Sequence, residues 1–154
     1  TAHVAGVIGG RLAVPGQRRQ GTAQCRDLGE RRIELPRLNH VRADGRSYRH
    51  AWGCGNRVVG ELMDELVKLD VQQGHCLSWH EAGCYPGEPI FVPAPHGRDE
   101  DEGVLLSVVL DAGAGNSFLL VLDARNLQEH ARVRLGIPLP FGFHGEFLPA
   151  SRSH

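Results

Sequence analysis

The sequence predicts an all-β fold that is built from repeated units. Its apolar runs are short, rich in Val, Leu, Ile and Phe, and separated by Gly, Pro, Asn and Asp, whereas helical periodicity is almost absent. Two kinds of acidic residue also recur at one spacing: Glu34 and Glu88 lie 54 residues apart, and Asp70 and Asp123 lie 53 residues apart. A period of about 50 residues with about four strands per unit is typical of β-propeller blades.

Short strands alternate with turn residues along most of the chain. The predicted strands are residues 32–35, 48–54, 65–71, 76–79, 88–92, 103–111, 117–123, 131–135 and 141–147. Turn chemistry falls between them, at residues 73–74, 86–87, 113–116 and 138–140. Strands of this length and spacing favour antiparallel neighbours within one sheet.

The strands group into two complete repeats with partial repeats on either side. The first predicted blade covers residues 32–79 and the second covers residues 88–135. Residues 11–16 are expected to form the outer hairpin of a preceding blade, and residues 141–147 the innermost strand of a following one. Because a closed propeller needs at least about four blades, residues 1–154 are expected to be an incomplete part of a single propeller domain. The alternative is a β-sandwich of the same strands.

Composition excludes several functional classes. The chain has 17 basic and 18 acidic residues and a formal net charge of −1, so it has no basic surplus for nucleic-acid binding. No apolar run is long enough to span a bilayer, and no signal peptide is visible. The four cysteines form no Cys-x-x-Cys pair, which favours reduced thiols in a cytoplasmic protein.

Three polar residues stand out as a candidate site. Glu34, Glu88 and His144 follow one another at intervals of 54 and 56 residues, each at or near the start of a strand-like run. The innermost strands of propeller blades line a central channel, so equivalent positions meet near the axis. We expect His144 to bind a metal and the two carboxylates to accept hydrogen bonds from ligand N–H groups. The alternative is that the glutamates are solvated and the histidine is a surface or core residue.

Other motifs are weaker. The acidic run at residues 99–102 lacks the alternating ligands of a calcium loop and is predicted to be a solvated turn before a strand. The glycine-rich residues 113–115 precede a strand, so they lack the helix N-terminus of a phosphate-binding loop. Ser107 lies inside a predicted strand without a nucleophile motif around it, which gives hydrolysis no support.

Several ordered stretches resemble one known family. They are residues 33–39 (IELPRLN), 48–53 (YRHAWG), 85–93 (YPGEPIFVP), 100–111 (EDEGVLLSVVLD), 118–124 (FLLVLDA) and 140–145 (PFGFHG). Over roughly residues 30–149 the chain resembles the C-terminal part of the carotenoid cleavage oxygenases. The resemblance implies that the chain is a C-terminal fragment, about the last third of such an enzyme.

The resemblance also implies a site and a reaction. The family fold is a seven-bladed β-propeller with a non-haem Fe(II) on its axis, held by four histidines of which three are oriented by glutamates. By motif, His144 matches the last iron ligand and Glu88 the glutamate that orients it. Glu34 matches a glutamate that orients another histidine, which would lie upstream. The implied reaction is oxidative cleavage of a carbon–carbon double bond of a carotenoid, apocarotenoid or stilbenoid.

Two functional hypotheses remain at this point. In the first, the chain is part of a dioxygenase whose partners are an apolar small molecule and O2, and it is inactive alone because the other iron ligands lie outside it. In the second, it is a non-catalytic propeller segment that serves as a scaffold or interaction module. In either case the isolated segment is expected to expose strand edges and to aggregate. The sequence leaves open the substrate, the substrate-binding residues, any peripheral membrane contact and the oligomeric state.

Overall fold

The structure is a computed structural model that describes the backbone of residues 6–8, 11–15 and 25–150 and the side chains of residues 33–150. The strands in these residues form three antiparallel sheets, which confirms the all-β prediction. The first sheet has the order β1-β2-β3 and consists of β1 (Gly6–Ile8), β2 (Arg11–Pro15) and β3 (Cys25–Arg32). The prediction of a hairpin within residues 11–16 was wrong, because residues 11–15 form the single strand β2 between β1 and β3; residue 16 lies outside the described residues.

The second sheet corresponds to the first predicted repeat. It has the order β4-β5-β6-β7 and consists of β4 (Glu34–Arg37), β5 (His50–Gly55), β6 (Glu65–Asp70) and β7 (His75–His80). Each strand pairs antiparallel with the next one in the chain. A short helix, α1 (His40–Ala43), which the sequence pattern did not predict, lies between β4 and β5.

The third sheet corresponds to the second predicted repeat. It consists of β8 (Cys84–Pro86), β9 (Ile90–Pro93), β10 (Gly103–Asp111), β11 (Asn116–Asp123) and β12 (Glu129–Arg134). The order is β12-β11-β10, and both β8 and β9 then pair with β10. The place of one inner strand is therefore filled by two short ones.

A bulge separates β8 from β9. Val109 of β10 pairs with Pro86, and Leu106 of β10 pairs with Ile90. Two residues of β10 therefore lie opposite three residues, 87–89, of the broken strand, which is the count of a β-bulge. The prediction of one strand over residues 88–92 was wrong at its first two positions, because this bulge interrupts the pairing there.

The predicted strand at residues 141–147 is absent. The structure assigns no strand between residues 135 and 150, so this part of the prediction was wrong. Pro138 and Pro140 lack the backbone N–H that a sheet ladder requires. The amide of Gly145 donates to a side chain, the carboxylate of Glu88, at 2.9 Å. The segment is thus held by side-chain contacts rather than by a neighbouring strand.

The boundary of the first predicted repeat also differs. The predicted strand at residues 32–35 covers the junction of β3 and β4, which belong to different sheets. Ile33, whose side chain is buried, separates them. Residues 32–35 alternate between charged and apolar without a break, so the pattern alone could not show that the chain changes sheets there.

Asp70 and Asp123, the second pair of acidic residues that recur at the repeat spacing, have the same structural role. Asp70 and Asp123 end β6 and β11, which occupy the same place in their sheets. Each carboxylate accepts hydrogen bonds from the amides two and three residues later, at 2.9 and 2.9 Å in the first turn and at 2.7 and 3.3 Å in the second. This local bonding is typical of Asp in turns, which explains why it recurs at the repeat spacing.

One apolar core joins the second and third sheets. Trp52 of β5 is fully buried, stacks on Phe91 of β9 with ring centroids 4.6 Å apart, and donates from Nε1 to the carbonyl of Ala124 at 3.0 Å. The buried thiols of Cys54 and Cys84 belong to the same core, and neither residue is in a disulfide. The two sheets therefore share buried surface. The side chain of Cys25 lies outside the described residues.

The acidic run at residues 99–102 joins the same two sheets. Glu100 accepts hydrogen bonds from the amides of Arg49 (2.9 Å) and His50 (2.6 Å) at the start of β5. Asp101 pairs with Lys68 at 2.5 Å, and these two side chains are only 17% and 7% exposed. The run forms a turn as predicted, but the prediction that it is solvated was wrong for Glu100 and Asp101.

In the described part of the chain, no helix is long and apolar enough to cross a membrane.

Candidate functional site

The β8–β9 bulge places Glu88 at the centre of a hydrogen-bond network. Its side chain is only 7% exposed. Oε2 accepts from Nη2 of Arg37 at 2.8 Å and from the amide of Gly145 at 2.9 Å, and Oε1 lies 3.0 Å from Nδ1 of His144. The carboxylate therefore meets three donor groups from two distant parts of the chain.

The ionisation of Glu88 determines which nitrogen of His144 carries the proton. Although burial opposes ionisation, hydrogen bonds from Arg37, the Gly145 amide and His144 hold the pKa of Glu88 below its ordinary value. An ionised carboxylate only accepts hydrogen bonds. When the imidazole is neutral, Nδ1 of His144 must therefore donate, and Nε2 then has a free lone pair. This is the arrangement of a histidine prepared to bind a metal through Nε2.

His144 is accessible for such a bond. Its side chain is 65% exposed, and the ring of Phe143 meets the imidazole edge to face with centroids 5.0 Å apart. Within residues 33–150, no group of three or more His, Cys, Asp or Glu side chains could hold a metal ion. The described residues thus fit part of a metal site built from imidazoles: they provide one candidate ligand, His144, and the carboxylate that orients it.

The third predicted residue, Glu34, lies apart from this pair. It begins β4, is exposed, and pairs with Cys54 of β5. Among the described residues, Glu34 forms no hydrogen bond or ion pair with Glu88 or His144. Burial, followed by the nearby charges of Glu88 and Glu34, raises the pKa of the Cys54 thiol to about 12. Both glutamates therefore lie near one buried thiol, but only Glu88 meets the imidazole.

Sequence reasoning missed Arg37. Nη2 of this residue donates both to Glu88 and to the carbonyl of Gly145, the latter at 2.5 Å. In a regular strand, residues three apart point to opposite faces, so spacing does not link Arg37 to Glu34. The pairing of β4 with β5 shifts register between these two residues. No signal in the sequence alone would have identified this contact.

An apolar cleft of about 270 Å³ adjoins the imidazole. Glu88 and His144 contribute to its wall, and the other lining residues are mostly apolar. These are Tyr85, Gly87, Ile90, Leu106, Val108, Leu110, Leu119, Leu139, Pro140, Phe141, Gly142, Phe143, Gly145, Glu146 and Phe147. The candidate ligand therefore lies between a buried carboxylate and a surface that suits an apolar molecule.

Known proteins match most of the chain. The family model for Retinal pigment epithelial membrane protein matches residues 10–149. The carotenoid-cleaving dioxygenase, mitochondrial, of Mustela putorius furo is 47% identical over 118 residues, which are 75% of this chain and 21% of that protein. The carotenoid cleavage dioxygenase 8 homolog A, chloroplastic, of Oryza sativa is 41% identical over 121 residues, which are 79% of this chain and 22% of that protein.

Solved structures agree with the sequence matches. A mutant of the Synechocystis oxygenase ACO superposes with a TM-score of 0.84 at 26% identity, over 91% of this chain and 30% of that one. Cobalt-substituted Synechocystis ACO superposes with a TM-score of 0.75 at 28% identity, over 80% of this chain and 26% of that one. The chain thus spans about a fifth of the length of the curated relatives described above. Because the family model covers nearly all of its residues, the chain belongs to the family of Retinal pigment epithelial membrane protein and the carotenoid cleavage oxygenases.

Proposed function

We propose that this chain is part of a longer non-haem Fe(II) dioxygenase that cleaves a carbon–carbon double bond of a carotenoid, apocarotenoid or stilbenoid. The observation that carries the proposal is the 3.0 Å contact between Nδ1 of His144 and the buried carboxylate of Glu88. A carboxylate that orients an imidazole is a recurrent feature of metal sites. The names of the relatives support the reaction class, since they are carotenoid-cleaving dioxygenases.

The residues of this chain would serve the iron in a limited way. His144 would bind it through Nε2, and Glu88 would hold the ring in the required orientation. Glu34 would orient a second histidine that lies outside the described residues. When bound, Fe(II) supplies open coordination positions at which O2 and substrate meet. Imidazole suits Fe(II), and the proposal of a metal site is supported by the similarity of the chain to a cobalt-substituted Synechocystis ACO.

The apolar cleft beside His144 supports an apolar substrate. Its aromatic and aliphatic walls would bury a hydrocarbon chain and exclude water from the reacting double bond. The reaction consumes one double bond and one O2, and each carbon of the broken bond receives one oxygen atom as a carbonyl. The balance is complete without a further reductant, which agrees with a site that needs only a metal and an apolar cleft.

We also propose that the second and third sheets are two blades of a seven-bladed propeller. The TM-score of 0.84 over 91% of the chain supports this, as does the coverage of only 30% of the matched oxygenase. On this proposal the remaining blades and iron ligands belong to a longer polypeptide, so residues 1–154 alone are inactive. A cytoplasmic location stays a prediction from the cysteine pattern.

Iron content and product analysis of the full-length protein would test the proposed function. The protein would be loaded with Fe(II) and incubated with O2 and a panel of carotenoids, apocarotenoids and stilbenes, and the carbonyl products would be identified by mass spectrometry. His144→Ala should lose most of the bound iron and all cleavage. The control is His130→Ala, which removes an exposed imidazole 3.5 Å from Asp123 and away from Glu88.

Two results would contradict the proposal. One is a His144→Ala variant that retains wild-type iron content and cleavage. The other is a full-length protein that binds iron through His144 and yet cleaves no member of the panel, which would favour a scaffold or another reaction. Residues 1–154 alone should show no cleavage in the same assay, and measurable turnover would refute their proposed inactivity.

A further inference from the structure

We infer that Arg37 is a positioning residue for this site, whose guanidinium sets the orientation of the Glu88 carboxylate and of the segment that carries His144. The relevance of this role to metal binding rests on the proposed function. The hydrogen bonds themselves do not rest on the proposed function, because they join Arg37, Glu88 and Gly145 directly in the structure. Arg37 lies 51 residues before Glu88 and 108 residues before Gly145, so the role depends on the tertiary fold.

A closed ring of hydrogen bonds joins Arg37, Glu88 and Gly145. Nη2 of Arg37 donates to Oε2 of Glu88 at 2.8 Å and to the carbonyl of Gly145 at 2.5 Å. The amide of Gly145 donates to the same Oε2 at 2.9 Å. With Oε2 occupied by two donors, the other oxygen of the carboxylate is turned toward Nδ1 of His144. Arg37 thus helps to occupy Oε2, which leaves Oε1 to accept a hydrogen bond from His144.

His144 needs such support because little else holds it. The segment around it forms no strand, and its side chain is 65% exposed. Apart from the contact with Glu88, the imidazole meets the neighbouring ring of Phe143. A carboxylate that loses the Arg37 donor can rotate about its terminal bond. The carboxylate plane would then tilt away from the orientation in which one oxygen points at Nδ1, and the ring of His144 would be held less firmly.

The backbone just before Arg37 adopts an unusual conformation. Leu35 has φ of +50°, a conformation that residues with a branched side chain rarely adopt, and it immediately precedes a proline. This residue lies within the register shift between Glu34 and Arg37. Nε of Arg37 is also buried without a hydrogen-bond partner among the described residues. Strain and an unpaired donor at one place are typical of residues that serve a site rather than stability.

Cobalt binding to the full-length protein would test the inference. Arg37→Met removes every donor but keeps an apolar stem, Arg37→Lys keeps one cationic donor, and Arg49→Met is the matched control. Arg49 forms a similar ion pair with Asp70 at 2.7 Å in the same sheet but does not touch Glu88. We expect Arg37→Met to bind Co(II) about tenfold more weakly, with a changed ligand-field absorption spectrum. Arg37→Lys should recover part of the affinity, and Arg49→Met should stay within about twofold of wild type.

A metal-free measurement separates the positioning role from the proposed function. In protein labelled with ¹⁵N-histidine, at a pH where imidazole is neutral, the wild type should show the His144 tautomer with hydrogen on Nδ1. Arg37→Met should show a mixture of tautomers. If the wild type binds no cobalt but the tautomer still changes in Arg37→Met, the positioning role stands and the proposed function fails.

The inference is overturned by either of two results. One is an Arg37→Met variant with wild-type cobalt affinity, spectrum and tautomer. The other is equal loss of affinity in Arg37→Met and Arg49→Met, which would indicate a general effect of removing an ion pair. Melting curves accompany both variants. If Arg37→Met does not fold, Arg37→Gln takes its place, because glutamine is too short to reach both acceptors.

Discussion

The second and third sheets share a plan but differ at their innermost positions. Asp70 and Asp123 form the same turn in both sheets, each accepting two backbone amides. Glu34 and Glu88 recur at almost the same spacing, yet Glu34 is exposed on β4 whereas the Glu88 side chain is 7% exposed and bonded to three groups. Equal spacing in a repeat therefore indicates an equal place in the backbone, but not an equal environment.

The broken inner strand of the third sheet explains this difference. The bulge between β8 and β9 turns Glu88 out of the ladder toward Arg37 and the segment that carries His144. Bulges commonly redirect a side chain beside a functional site. Glu34 lies in a strand that pairs with β5, and the structure describes no comparable segment facing it. The difference between the two glutamates thus depends on which distant segment lies beside each strand.

The largest expected effect tests whether the two sheets form one unit. Trp52→Ala removes a fully buried ring that stacks on Phe91 and bonds to Ala124. We expect a loss of about 4 kcal/mol in the free energy of unfolding, because a large cavity opens between the sheets. Chemical denaturation of the full-length protein would measure it. Trp79→Ala, at a partly buried ring on the same core, should cost clearly less. Equal costs would break the idea of a core centred on Trp52.

The next effect compares the two glutamates directly. Glu88→Ala removes the acceptor of the Gly145 amide and one of the two acceptors of Arg37 Nη2, so we expect a loss of about 2 kcal/mol. Glu34→Ala, at an exposed side chain, should change stability by less than about 0.5 kcal/mol. The two variants would be measured side by side by thermal and chemical denaturation. Similar losses in both would mean that the glutamates have equivalent environments, contrary to the structure.

A smaller effect is expected at the bulge itself. The hydroxyl of Ser107, a residue that is 2% exposed, donates to the carbonyl of Gly87 at 2.8 Å and so fixes the residue before Glu88. Ser107→Ala should cost about 1 kcal/mol, because the half-buried carbonyl of Gly87 loses this donor. The same denaturation assay applies, with Ser78→Ala at an exposed position of β7 as the control. A Ser107→Ala variant as stable as Ser78→Ala would show that the bulge does not need this bond.

The smallest effect at neutral pH concerns the shared aspartate turn. Although burial opposes ionisation, hydrogen bonds from Arg49 and two backbone amides hold the pKa of Asp70 at about 2. The unfolded value is about 3.9, so ionised Asp70 stabilises the fold above that pH, and this stabilisation is lost as the pH falls toward 2. Asp70→Asn should cost under about 1 kcal/mol at pH 7. Its melting temperature should fall less steeply than that of wild type between about pH 5 and pH 2.

A partner variant checks the cause of that slope. Arg49→Met removes the guanidinium that bonds Asp70 at 2.8 Å through Nε, so its melting temperature should also fall less steeply in acid. Melting curves that run parallel to wild type in both variants would mean that Asp70 does not contribute to acid sensitivity. The turn bonds to the two amides would then be the whole of its role.

Much of the architecture could be predicted from local pattern. The predicted strands at residues 65–71, 103–111 and 117–123 agree with the observed ones to within one residue at either end. Their short apolar runs, and the turn residues beyond them, act over a few positions in sequence. The segment at residues 141–147 misled the pattern, because its apolar residues line a cleft instead of a strand face. A hydrophobic run shows that residues are apolar, but not what they pack against.

The candidate site divides in the same way. The contact between Glu88 and His144 was expected from spacing and family resemblance. In the structure, Oε1 of Glu88 lies 3.0 Å from Nδ1 of His144. Arg37, the bulge and the buried pair of Lys68 and Asp101 were not expected, since each depends on register or on contacts between sheets. Such contacts join residues far apart in the chain, and no local rule encodes them.

The sequence alone determined the all-β class, the repeat of about 50 residues and the positions of the turns that follow Asp70 and Asp123. These features arise from residue type and spacing, which act locally or recur with the repeat. Only the tertiary structure decided which glutamate is buried, which arginine holds it, and that the histidine segment is not a strand. Those outcomes depend on where a bulge interrupts a ladder and on which distant groups then come within hydrogen-bond reach.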